Sequence, residues 1–127
     1  MAHRVEVEVA WLIGLSQASL PELPAFAPAT LSKLHHLVNE FSEEDAARIK
    51  AIEHTTNHDV KAVEYWLKEK VEGDPVLEKA GEFIHFACTS EDINNTSHAL
   101  MLSRACEQSL LPMLRGLLDQ LRALAQT

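Results

Sequence analysis

The sequence predicts an all-α fold. Apolar residues recur at spacings of three and four along almost every segment, and no convincing second strand exists for a first to pair with. Helix-start signatures stand at Ser42 and Thr89, each with an acidic residue three positions on. The 127 residues are the length of one domain, and the 46% apolar share is ample for a core. A net charge of −8 argues against nucleic acid or an anionic membrane surface as partner. No apolar run approaches the roughly 20 residues of a membrane span, and MAHRVEVEV has no signal-peptide pattern. Cys88 and Cys106 form neither a CxxC pair nor a disulfide framework. The expectation is a soluble, cytoplasmic chain with reduced thiols.

Residues 4–13, RVEVEVAWLI, permit two readings. Val5, Val7 and Val9 alternate with charges like a half-buried strand, whereas Val5, Val9, Leu12 and Ile13 share one helical face. A lone strand leaves its backbone unsatisfied, so the prediction is helix. Pro21, Pro24 and Pro28 mark residues 18–29 as a connector. Leu31, Leu34, Leu37 and Val38 then form a helical stripe. Ser42 opens a capping box into a helix with Ala46, Ile49 and Ile52 inward.

Thr55 to Asp59 interrupts that pattern with good N-cap residues, Asn57 foremost. Val60, Val63, Trp66 and Leu67 resume it up to Lys70, with Glu64 and Lys68 as an i,i+4 pair. Gly73-Asp74-Pro75 is a turn, and a shorter helix is expected from about Val76 to Phe83. From residue 90 to 126 a leucine seam at 110, 114, 117, 121 and 124 is widened by Leu111, Leu118 and Ala125. Pro112 is expected to kink this helix. So wide an apolar face calls for helices from elsewhere, in a longer chain or in neighbouring subunits.

Chemistry-bearing residues concentrate in two places. Asn57-His58-Asp59 puts a histidine in a first helical turn, and histidine is the side chain best able to change charge near neutral pH. Thr89-Ser90-Glu91-Asp92 opens the last helix with two hydroxyls, where backbone N–H groups lack partners and an anion can be held. By themselves such residues do no more than cap their helices. His85, flanked by Phe83, Ile84 and Phe86, reads alone as a core histidine. His54 and His58 have zinc-like spacing, with Glu53 and Asp59 nearby, only if one helix carries both, and the Thr-Thr-Asn interruption speaks against that. No metal site is expected. His35, His36 and His98 read as surface or interface residues.

Taken jointly, FSEEDAARIKAIEHTTNHDVKAVEYWLKEKV and EFIHFACTSEDINNTSHALML resemble the adenylosuccinate lyase family, in its bacterial long form, within the all-helical fumarase/aspartase superfamily. The resemblance covers most of the chain. It implies a small N-terminal helical domain, residues 1–88, running into the first long helix of a central bundle, residues 89–127. It implies β-elimination of adenylosuccinate to AMP and fumarate, and likewise of the succinylocarboxamide ribotide, without metal or organic cofactor. By position, Asn57, His58 and Asp59 match the family's substrate-binding Asn/Arg-His-Asp segment. Thr89 and Ser90 match its anion-binding Thr-Ser pair, and His85 a histidine near the phosphate. The resemblance also implies a homotetramer with sites assembled from several subunits.

The family's catalytic acid lies in a His-Gly-Gln-Pro-like segment and its base in a Ser-Ser-x-Met-Pro-x-Lys-x-Asn-Pro-like loop. Neither string occurs in residues 1–127, and the early Arg-Tyr segment is missing too. The chain is therefore expected to be an N-terminal portion carrying binding segments and no catalytic residue. Alternatives are a sibling lyase acting on argininosuccinate, aspartate or malate, and a non-catalytic helical interaction module. The leading reading requires the helix openings at His58 and Thr89 to be neighbours. The 127-residue chain incubated with adenylosuccinate is expected to release no fumarate, because binding groups alone cannot move the protons; fumarate above the buffer blank would contradict this.

Overall fold

The computed structural model describes residues 1–126. Among them the secondary structure is helical, with one isolated β-bridge between Leu20 and Leu23 inside the connector. The chain forms two compact units, Met1–Ser97 and His98–Thr127.

In the first unit, residues 4–13 resolve as helix, within α1 (Ala2–Gln17). Val5, Val9 and Leu12 are buried, as the helical stripe requires, and Glu8 is buried with them. Helix α2 (Pro28–Asn39) begins on Pro28, whose missing N–H costs nothing in a first turn. Helix α3 (Glu43–Thr56) starts with the predicted box: Asp45 N–H donates to Ser42 Oγ at 3.2 Å, and Ser42 N–H to Asp45 Oδ2 at 3.0 Å. Lys70 lies 2.7 Å from the other Asp45 oxygen and, more than the box, holds that carboxyl below its usual range.

Helix α4 (Asp59–Val71) is the centre of the core, burying Val60, Val63, Trp66, Leu67 and Val71. It packs against α1 and α3, with Leu34, Ile49, Leu77 and Ile84 closing the cluster. The Phe41 ring meets Trp66 edge-on, with centroids 5.5 Å apart. Glu64 pairs with Lys68 at 3.3 Å as expected, but it is a buried residue and takes a second cation, Lys61, at 2.8 Å.

The helix expected from Val76 to Phe83 does not form. Asp74 spends its side chain on the N–H groups of Val76 and Leu77, at 3.0 and 3.1 Å, and isolated turns follow. Only Gly81–Phe83 is regular, as a single 3-10 turn. The run before Gly81 is only five residues, Val76 to Ala80, too short to repay helix nucleation even with good helix formers in it.

Helix α5 (Ser90–Ala105) follows. In the second unit, a π-helical stretch, Cys106–Leu110, leads into α6 (Leu111–Ala125), with Pro112 in the first turn of α6. Leu111 N–H reaches back five residues to the Cys106 carbonyl, so the ladder is re-registered just where proline lacks a donor. Leu110, Leu114, Leu117, Leu121 and Leu124 are all exposed.

Two substitutions test the core and its cap. Ile49→Ala should cost about 2–5 kcal/mol by denaturant unfolding, and Ser42→Ala about 1 kcal/mol. The Asp45 contribution should be present at neutral pH and fade as acid carries the solution down through the lowered pKa of this group.

Candidate functional site

The His58 segment is built differently from its sequence expectation. Asn57 does not cap α4. It ends α3 in the left-handed conformation, φ 51° and ψ 31°, with its N–H bonded to the Glu53 carbonyl at 2.8 Å. Asparagine tolerates that conformation better than most residues, which explains its use at the break. His58 is the N-cap of α4: its Nδ1 accepts from Lys61 N–H at 3.1 Å. His54 belongs to α3 and His58 to the start of α4, so the two do not share the single helix that a zinc-like i,i+4 pair needs.

This cap decides the histidine's tautomer. With Nδ1 accepting, the hydrogen of neutral His58 sits on Nε2. Ser90 Oγ lies 3.2 Å from Nε2, so the ring donates to the serine and the Ser90 hydroxyl hydrogen stays available. The start of α4 and the start of α5 are thereby joined, two N-termini whose partial positive ends favour an anion. Arg4, from α1, closes the same junction. Its NH2 group bonds Asp59 Oδ2 at 2.6 Å and its Nε bonds Asn94 Oδ1 at 2.8 Å. A cleft of about 630 Å³ opens beside it, lined by Lys50, Glu53, His54, Asn57, His58 and Asp59.

Thr89 is committed elsewhere. Its N–H and its hydroxyl both donate to Asp92 Oδ2, at 2.7 and 3.0 Å. These bonds hold the Asp92 carboxyl below its usual range, the backbone N–H contributing most. Of the Thr-Ser pair, Ser90 is the one with a hydrogen to give.

His85 sits in a constrained loop. Both His85 and Ala87 have left-handed backbones, φ 64° and 60°, at a cost of order 1–3 kcal/mol each. Trp11 Nε1–H bonds the intervening Phe86 carbonyl at 2.7 Å, and the Phe83 and Phe86 rings meet at a tilt of 57° with centroids 5.4 Å apart. His85 Nδ1 lies 2.7 Å from Glu8 Oε1, so the half-buried ring is satisfied by a carboxylate. Burial pushes the Glu8 carboxyl up, the bond and charge of His85 pull it back, and Glu64 raises it again. Cys88 is pushed up as well, first by burial and then by Glu8 and Asp92.

Arg4, Glu8 and Asn94 were not singled out from the sequence. One signal was available for Glu8: positions 5, 8, 9 and 12 form a single helical stripe, so a glutamate stood in line with the core. Among the described residues no cluster of His, Cys, Asp and Glu has the makings of a metal site, and no helix is long and apolar enough to cross a membrane.

The junction draws on α1, α4 and α5 to present imidazole, hydroxyl and guanidinium groups. The chain belongs to the lyase family, whose model, described as "Lyase", matches residues 2–127. Among individual proteins it is similar to the adenylosuccinate lyase of Escherichia coli (strain K12), 60% identical over 126 residues, covering 98% of this chain and 28% of that protein. It is 56% identical over 127 residues to the adenylosuccinate lyase of Haemophilus influenzae, and 41% over 125 residues to that of Legionella pneumophila (strain Corby). The chain thus spans 27 to 28% of the length of these relatives.

The capping geometry has a direct spectroscopic test. Two-bond 15N–1H correlation spectra of neutral His58 should show the hydrogen on Nε2, and a hydrogen on Nδ1 would refute the cap. Asn57→Ala should cost about 1 kcal/mol in stability, the penalty of a left-handed alanine.

Proposed function

We propose that this chain is the N-terminal substrate-binding portion of an adenylosuccinate lyase, which splits adenylosuccinate into AMP and fumarate, and splits the succinylocarboxamide ribotide likewise, in purine biosynthesis. The observation that carries the reading is the His58–Ser90 contact. It joins two helix N-termini into one anion-receptive surface, in a chain 60% identical to an adenylosuccinate lyase. The substrate is a polyanion, and the chain's net charge of −8 repels it, so local donors must prevail. Oriented N–H groups, hydroxyls and imidazole N–H groups do this at short range.

In the proposed assignment Ser90 binds a substrate oxyanion through its free hydroxyl hydrogen, His58 backs it by donating to the serine oxygen, Asn57 lines the cleft, and Asp59 is held in place by Arg4. Thr89, bound to Asp92, fixes the start of α5 on which Ser90 stands, and His85 approaches the phosphate. The elimination needs a base to take the proton beside a carboxylate and an acid to protonate the leaving nitrogen. Both are assigned to segments outside these 127 residues. The exposed leucine face of α6 suits a helical bundle within a cytoplasmic homotetramer, with residues 1–88 as its flanking domain.

The test is made on the full-length gene product. It should release fumarate from adenylosuccinate, with Ser90→Ala raising KM roughly tenfold for the loss of one charge-assisted hydrogen bond. Cleavage of argininosuccinate, aspartate or malate in its place would make it a sibling lyase. Absence of any elimination would leave the interaction-module reading.

A further inference from the structure

Glu8 is a buried carboxylate that none of the proposed substrate contacts uses. It stands on the core face of α1 with no exposed surface. Its Oε1 faces His85 Nδ1 at 2.7 Å, while Oε2 is buried with no hydrogen-bond partner among the described residues. The charged and titratable groups around the pair are mostly acidic. Glu64 of α4 acts on Glu8, Glu8 and Asp92 act on Cys88, and His85 acts on Asp92 at the start of α5. A net negative charge enclosed there is costly, because no second protein donor among the described residues meets the orphan oxygen.

With the carboxyl proton in the shared bond, the pair can reach zero net charge in two ways. A carboxylate can face an imidazolium, or a carboxylic acid can donate its hydrogen to Nδ1 of a neutral ring. The proton shared across the 2.7 Å bond lies on one side or the other. In both arrangements Nε2 of His85 carries a hydrogen. Nε2 is bare in the net-negative pair, which burial disfavours, and in a neutral pair only with the acid hydrogen on Oε2, where it meets no acceptor among the described residues. The left-handed backbone at 85 and 87 and the Trp11 bond to Phe86 hold the ring-bearing loop.

We propose that Glu8 is a positioning residue that keeps a hydrogen on Nε2 of His85, making His85 an obligate donor to a substrate oxyanion. The inference rests on the functional reading above for the identity of the oxyanion, but not for the placement of the hydrogen. Glu8→Leu is the informative change. It removes one partner of the pair at a cost in stability, and the imidazole left behind is partly exposed, so it can be solvated in its neutral form.

In the full-length protein, diethyl pyrocarbonate acylates only an imidazole nitrogen with a free lone pair. Peptide mass spectrometry should find His85 slow to react at neutral pH and roughly tenfold faster in Glu8→Leu. Equal rates in the two proteins would overturn the proposal. Glu8→Leu and His85→Gln should each raise KM for adenylosuccinate roughly tenfold, with kcat little changed. Combined, they should do no more than His85→Gln alone, since Glu8 acts through the histidine. Additive effects would mean a merely structural glutamate and reject the idea. Should Glu8→Leu lose its helical circular dichroism, Glu8→Met, apolar and close to glutamate in length, carries the same comparisons. If the unaltered protein does not cleave adenylosuccinate, the functional reading fails, and the acylation rates still decide where the hydrogen lies.

Discussion

The site depends on two charged residues one turn apart on α1. Arg4 holds the start of α4 through Asp59 and the start of α5 through Asn94, and Glu8 holds the loop between them through His85. Each is a long-range tie, spanning 55, 90 and 77 residues of sequence. Helix N-termini repel one another through their partial positive ends, so bringing two of them together needs compensating groups. The Asp59 and Asp92 carboxylates supply the negative charge, and Arg4 fixes where one of them stands. The His58–Ser90 bond then becomes possible at 3.2 Å.

A division of labour follows among groups that look alike in sequence. Thr89 and Ser90 are adjacent hydroxyls at one helix start. The first is consumed by its own cap, with Asp92 taking both its N–H and its hydroxyl hydrogen. The second points across to α4 and keeps its hydrogen. His58 and His85 also diverge. His58 uses Nδ1 as an acceptor from backbone, which sets the Nε2–H tautomer by geometry alone. His85 presents Nδ1 to a carboxylate, so its protonation is shared with a buried acid. Two imidazoles thus carry Nε2 hydrogens for different physical reasons, that of His58 given to Ser90.

The second unit shows how an obligatory defect is absorbed. Pro112 removes one donor from a helix, and the ladder answers one turn earlier with i→i+5 bonding over Cys106–Leu110. Seven leucines between 110 and 124 remain exposed along that unit. In water such a stripe is unfavourable by the ordinary cost of apolar surface, which is the physical basis for assigning it to a helical bundle.

Much of this was legible from local pattern. Helical periodicity gave α1 over its competing strand reading, the Ser42 box gave the start of α3, and capping residues marked both site openings. These are interactions within one turn, and a sequence encodes them directly. Two local expectations failed, for reasons local pattern cannot weigh: the 76–83 segment lost its helix to Asp74 and Gly81, and Asn57 ended one helix instead of beginning the next. Arg4, Glu8 and Asn94 were silent in the sequence because a charge among charges announces nothing until its partner is known. The chain's own order of residues therefore determined which segments are helical and where each helix opens. Only the packing of α1 against α4 and the 85–94 region decided that those openings meet, that Ser90 and not Thr89 is free to donate, and that a glutamate lies buried beneath His85. Partners 32 to 90 residues apart are chosen by how apolar faces close on one another, and that is a property of the whole fold.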